Sequence, residues 1–224
     1  MRTRGLFPVL LRSALAAAAI ISGSASAQAL PVPGSIEVGI GEGRFFGGSF
    51  QRGSNDLFDH RVEADDDVLK GFWLGAQLSR SWGLEISVRR TQTHLVEPSG
   101  GVFPSKPAVA TFIPATVELL GLWSWPLGSF VPYAGFGLGF MDVEADTGDV
   151  SIRDVNRFCM SMTLGARFYA ARWVGARIDV RGRATYLGAR SLGEDRGMFD
   201  TGRWFPNAEL LGGIFLSFGG KASP

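Results

Sequence analysis

The sequence predicts an all-β protein: an eight-stranded antiparallel up-and-down barrel that crosses a membrane. Three observations carry this reading. Apolar and polar residues alternate with period two in about eight runs. The links between those runs alternate between short and long. Aromatic residues gather at both ends of the runs. Side chains in a strand point to opposite faces, so each run has one apolar and one polar face. A membrane barrel turns the apolar face to lipid and the polar face to its lumen.

The run after Asn156 shows the pattern most plainly. Phe158, Met160, Met162, Leu164, Ala166 and Phe168 share one face, while Cys159, Ser161, Thr163, Gly165, Arg167 and Tyr169 share the other. In chain order, the first strand is expected over 35–42, with Ile36, Val38 and Ile40 together. The second covers 68–79 with Phe72, Leu74, Ala76 and Leu78, and the third covers 83–93 with Leu84, Ile86 and Val88. The fourth covers 109–124 with Ile113, Val117, Leu119 and Trp123, and the fifth 130–142 with Ala134, Phe136, Leu138 and Phe140. The sixth is the run from Phe158. The seventh covers 173–186 with Val174, Ala176, Ile178 and Val180, and the eighth 205–218 with Gly212, Ile214, Leu216 and Phe218.

Short turns are expected around Arg80–Trp82, Trp125–Ser129 and Ala170–Trp173, and long loops over 43–67, 94–108, 143–157 and 187–204. A soluble sandwich has no reason to alternate in this way. A membrane barrel does, with short periplasmic turns and long extracellular loops. The expected aromatic girdle comprises Trp82, Trp123, Trp125, Tyr133 and Trp173 with Phe130 at the short-turn ends, and Trp204 with Phe45, Phe46 and Phe205 at the other.

The first 27 residues read as a cleaved signal peptide, with Arg2, Arg4 and Arg12 before a short alanine-rich core and Ala25-Ser-Ala27 at the cleavage site. Residues 28–224 form one barrel domain. Removing the signal leaves 19 basic residues against 21 acidic, which gives nucleic acid no reason to bind. The lone Cys159 excludes an internal disulfide. Glycine is abundant, 31 of 224, and it sits inside the alternating runs, where strands and side chains can approach closely. No stretch after the signal is apolar for ~18 residues, as a membrane helix requires.

The polar faces carry charge of both signs. Glu37, Glu85, Arg89, Glu118, Arg167, Arg177, Asp179, Arg181, Arg183 and Glu209 all lie opposite apolar residues. Arginine facing lipid near the midplane would cost ~2–4 kcal/mol, so these groups are expected in the lumen, paired with one another. An eight-stranded lumen has room for little else.

The whole mature chain resembles the eight-stranded outer-membrane β-barrels of the OmpA-like and OmpX-like kind. The resemblance is carried by 71–86 (GFWLGAQLSRSWGLEI), 131–139 (VPYAGFGLG), 164–169 (LGARFY) and 174–181 (VGARIDVR). It implies an integral protein of the bacterial outer membrane, with a structural or surface-interaction role. The implied partners are outer-membrane lipids and lipopolysaccharide, periplasmic chaperones and the barrel-assembly machinery, and an unidentified loop ligand. The family ends on an aromatic residue, whereas here Phe218 is followed by Gly219–Pro224.

No catalytic, cofactor or metal site is expected. His60 and His94 have no second histidine at ligand spacing, and His94 lacks the serine two residues on that lipid A-modifying barrels carry. Asp142–Asp149 departs from a calcium loop, with Thr147 and Arg153 at the positions of the required glycine and glutamate. Asp65–Asp67 reads as a solvated run, and Cys159 as a small buried residue. The alternatives are a small gated channel for small or apolar solutes, an exported soluble ligand-binding barrel, and a lipid A-modifying enzyme.

Overall fold

The computed structural model describes residues 31–47, 49–50, 62–96, 108–146, 151–187 and 203–220. The expected signal peptide and His60 lie outside the described residues, as does the chain beyond Gly220. The strands are β1 (Ser35–Phe46), β2 (Ser49–Phe50), β3 (Val62–Ala64), β4 (Asp67–Gln77), β5 (Trp82–Thr91), β6 (Thr93–Val96), β7 (Ala108–Ser124), β8 (Phe130–Asp146), β9 (Ser151–Ala171), β10 (Val174–Leu187) and β11 (Arg203–Gly219).

Eight of these close into a ring. Each of β1, β4, β5, β7, β8, β9, β10 and β11 pairs antiparallel with a neighbour on both sides, and β1 pairs with β11 to seal the barrel. The three short strands β2, β3 and β6 extend the wall beside β7 beyond the open ends of β1, β4 and β5. Closure leaves no unpaired edge in lipid, where an unsatisfied backbone group is costly.

The alternation sorts each strand of the ring into two faces. Ile40, Leu74, Ile86, Leu119, Leu138, Met162, Ile178 and Ile214 are exposed on the outer wall. Their sequence neighbours on the other parity turn toward the lumen, most of them buried. Placing a charge on this wall is the direct test of facing. Leu138→Arg and Met162→Arg should each lower folding yield into lipid vesicles, by ~2–4 kcal/mol at midplane depth. A heat-modifiable gel shift reads the folded fraction, and a wild-type yield from Leu138→Arg would overturn the assignment.

Turn chemistry fixes the short ends. Ser79 Oγ accepts hydrogen bonds from the backbone N–H of Ser81 (3.3 Å) and Trp82 (3.1 Å), so the hydroxyl caps the β4–β5 turn. Gly128 supplies the positive φ of 69° needed between β7 and β8. β9 and β10 are joined through Arg172 and Trp173 alone.

At the other end the strands run further than the sequence pattern indicates. β8 extends to Asp146 and β9 begins at Ser151, so much of the expected loop 143–157 is a paired hairpin, with Val143 opposite Asp154. Crossing the hydrocarbon needs only ~9–11 residues, so these strands of 17 and 21 residues continue beyond it. There the alternation of β8 inverts, with Met141 and Val143 buried inside and Asp142 and Glu144 on the outer parity, because the outer face no longer meets lipid. A bulge after Met141 marks the transition. There Asp142 Oδ1 accepts the N–H of Asn156 at 2.8 Å, and Asn156 takes a φ of 60°, a conformation asparagine tolerates.

Candidate functional site: a charged and aromatic lumen

The ten charged residues of the polar faces lie inside the barrel, each at most 8% exposed. β10 contributes Arg177, Asp179, Arg181 and Arg183, because residues two apart share a face. β5 contributes Glu85 and Arg89, and single groups come from β1 (Glu37), β7 (Glu118), β9 (Arg167) and β11 (Glu209). In the closed order, β5 stands four places from β10 in either direction, so the two face each other across the lumen.

The charges alternate in sign around one continuous circuit. Arg177 holds Glu85 through both guanidinium nitrogens of its fork, and its Nε reaches Asp179 at 3.0 Å. Asp179 takes Arg89 Nη2 at 2.8 Å, and Arg89 Nη1 holds Glu209 at 2.9 Å. Glu209 is also bound by Arg183, whose Nη2 donates to Glu118 at 2.9 Å. Glu118 takes Arg181 Nη1 at 2.7 Å, and Arg181 Nη2 lies 3.6 Å from Glu85, which closes the circuit. Arg167 joins from the side, 3.1 Å from Glu37 and 4.0 Å from Glu85. Five arginines meet five carboxylates, so among the described residues the buried charges sum to zero.

Aromatic residues pack beside the circuit. The Arg177 guanidinium lies over the rings of Trp73 (4.8 Å) and Tyr133 (4.9 Å), and Arg167 lies over Tyr133 at 4.8 Å. Trp73 Nε1 donates to Glu37 at 2.9 Å. Tyr169 meets Phe215 edge-on at 5.0 Å. Leu120 and Leu122 pack with Tyr133. Toward the long-loop end, a small cleft lined by Phe45, Leu69, Thr91, Pro114 and Thr116 has Arg89, Arg183 and Glu209 around it.

Three aromatic positions correct the expected girdle. Tyr133, Phe45 and Phe205 are buried in the lumen, each at most 2% exposed. Parity explains all three: Tyr133 alternates with the outward Ala134, Phe45 with the outward Phe46, and Phe205 with the outward Trp204. Trp82, Trp123, Trp125, Trp173 and Trp204 lie exposed on the wall, together with Phe130 and Phe46. Trp82 and Trp123 touch edge-on at 4.5 Å near the short-turn end. Tyr169 is buried on the face the sequence pattern gave it, whereas the lumen aromatics Trp73 and Phe215 were not singled out from sequence. Their signal was parity, since Trp73 falls between the outward Phe72 and Leu74.

The remaining candidates stand apart. His94 is exposed. The N–H of Asp65 donates to its backbone carbonyl at 2.8 Å. Asp65 and Asp66 are exposed as well. Cys159 is buried, its sulfur 4.0 Å from Glu118 Oε1. Among the described residues, no three metal-ligating side chains converge.

Comparison with known proteins gives a consistent picture of the fold. The family described as outer membrane protein beta-barrel domain matches residues 13–202. No curated protein matches significantly. Among solved structures, neisserial surface protein A is similar at 13% identity and a TM-score of 0.56, over 83% of this chain and 99% of that one. Outer membrane protein OprG from Pseudomonas aeruginosa is similar at 13% identity and a TM-score of 0.57, over 84% and 97%. AlkL, solved in lipid bilayers, gives 13% identity and a TM-score of 0.52, over 91% and 97%. At these identities the likeness concerns the fold alone.

Proposed function

Because this chain belongs to the outer membrane protein β-barrel family, and so resides in the bacterial outer membrane, we propose that it is a non-enzymatic, non-conducting barrel. Its role is structural and interfacial. The wall holds the protein in the lipid of the outer membrane, and the long connections present it to the cell's surroundings. Lipopolysaccharide and other outer-membrane lipids are its proposed standing partners. Periplasmic chaperones and the assembly machinery are its partners during biogenesis, and a loop ligand is the third.

One observation supports the non-conducting reading above the others. Arg177–Glu85, Arg181–Glu85 and Arg89–Asp179 each join diametrically opposite staves, so ion pairs span the full width of the lumen. A solute passing through would have to part buried, hydrogen-bonded charges, leaving each unpaired in a poorly hydrated space. The side chains of an eight-stranded barrel already fill its interior.

Planar-bilayer recording tests this directly. The wild-type protein should show no steady ion current at moderate voltage. Large, regular single-channel steps would replace this reading with that of a small channel.

A further inference from the structure

The geometry points to a binding site for the phosphate groups of an outer-leaflet glycolipid on the outer wall of β1, β4 and β5. Arg44, Lys70 and Arg90 are exposed there, with one carboxylate, Glu42, among them. Register brings them together: Lys70 is directly opposite both Glu42 and Arg90, and Arg44 lies two residues beyond Glu42 on the same face. Side chains directly opposite in antiparallel strands have Cβ atoms ~4.5–5.5 Å apart, within reach of one phosphate. In the lumen every arginine meets a carboxylate. On this wall no ion pair or side-chain hydrogen bond engages Arg44, Lys70 or Arg90 among the described residues.

Depth supplies the second argument. On the membrane side the trio is bordered by Ile40, Phe72 and Val88, all exposed to lipid and in register with one another. The charges therefore lie at the long-loop rim of the apolar belt, where Val68, directly opposite Arg44, and Phe46, beyond it, are exposed apolar side chains. An amphiphile there has its acyl chains against the belt and its headgroup phosphates level with the cations. The neighbouring sector is mixed in sign, since Asp142 and Glu144 occupy β8 across Ala115 and Arg153 stands opposite Glu144 on β9, so the basic grouping is confined to β1, β4 and β5. A lipid with two phosphates on a rigid sugar core matches three cations on adjacent strands better than a single-phosphate lipid does. This inference rests on the outer-membrane placement above and not on the state of the lumen.

The test is titration of the folded protein in zwitterionic micelles with bisphosphorylated lipid A, with bound lipid counted by native mass spectrometry. The wild type should bind it saturably. Each neutralised cation should weaken binding about fivefold, so R44Q/K70Q/R90Q should lose roughly a hundredfold. Glu42→Gln should strengthen binding, because it removes the one repulsive carboxylate. Arg80→Gln with Arg172→Gln, at the short-turn end, should change nothing. If the triple variant does not fold, Lys70→Gln alone carries the comparison. Undiminished binding by the triple variant would overturn the site. So would equal binding of dephosphorylated lipid A or phosphatidylglycerol, or full competition by inorganic phosphate at matched concentration. Current recordings on the same preparations keep the two readings separate, since neither result determines the other.

Discussion

Replacing Glu118 by leucine should lower the free energy of unfolding by about 3–5 kcal/mol, read by urea titration of the protein folded in lipid vesicles. Glu118 receives Arg181 at 2.7 Å and Arg183 at 2.9 Å, all of them buried. Without it, Arg183 keeps Glu209, but Arg181 keeps only Glu85, at 3.6 Å, and the Ser87 hydroxyl. The interior then carries one uncompensated positive charge in a place that water reaches poorly. Leucine restores much of the volume, so the loss reports charge rather than a cavity. The diagnostic comparison is Glu118→Leu with Arg181→Met. Removing a whole pair restores neutrality, and replacing buried pairs by apolar groups is often neutral. The double variant should therefore be more stable than Glu118→Leu alone. A double variant no better than the single one would show that the circuit does not act as a balanced set.

This distinction bears on what the circuit is for. A buried ion pair is weak evidence of net stabilisation. The arrangement does favour one closure over others. On β1–β7 the lumen groups Glu37, Glu85, Arg89 and Glu118 sum to minus two, and on β8–β11 Arg167, Arg177, Asp179, Arg181, Arg183 and Glu209 sum to plus two. A slip of one residue in any of the six strands that carry them, β1, β5, β7, β9, β10 and β11, would turn its lumen charges to lipid. The complementarity of the two halves thus depends on the observed facing of those strands.

The facing of each strand was legible in the sequence because one rule, period two, governs it and lipid enforces it. Ile36, Val117 and Ile178 declare themselves by polar neighbours: Ser35 and Glu37, Thr116 and Glu118, and Arg177 and Asp179. Pairing inside the lumen was not legible. That Arg177 meets Glu85, 92 residues away, depends on β10 and β5 standing opposite each other, which only eightfold closure dictates. Tyr133, Phe45 and Phe205 were misplaced when residue type outweighed parity. An aromatic near a strand end suits an interface, yet each sits on the inward parity of its strand. The extension of β8 and β9 beyond the membrane escaped for the complementary reason: beyond lipid the polarity of the alternation inverts in β8, with Met141 and Val143 turned inward, so a search for an apolar outer face stops short while backbone pairing continues.

Gly39→Val should prevent most of the protein from reaching its folded, heat-modifiable form, and Trp73→Ala should restore a substantial part of that yield. A Cβ at position 39 would lie 2.2 Å from the Trp73 indole, far inside van der Waals contact. The indole has no easy retreat. Its Nε1 is bonded to Glu37, the Arg177 guanidinium lies over its ring, and Gly213 across the sheet is equally closed, with a Cβ there 2.7 Å from Trp73. Overpacking alone typically costs ~1–3 kcal/mol. Here displacing the indole also frees Glu37, the partner of Arg167, and strips Arg177 of an aromatic face, so the disturbance enters the charge circuit. The paired glycines and tryptophan are thus one packing unit, in which small residues on β1 and β11 accommodate a large one from β4. Truncating the indole opens the space that valine needs, at the cost of a cavity when present alone. The double variant should therefore fold better than Gly39→Val. Equal failure of both would trace the defect to the β1 backbone rather than to the collision with Trp73.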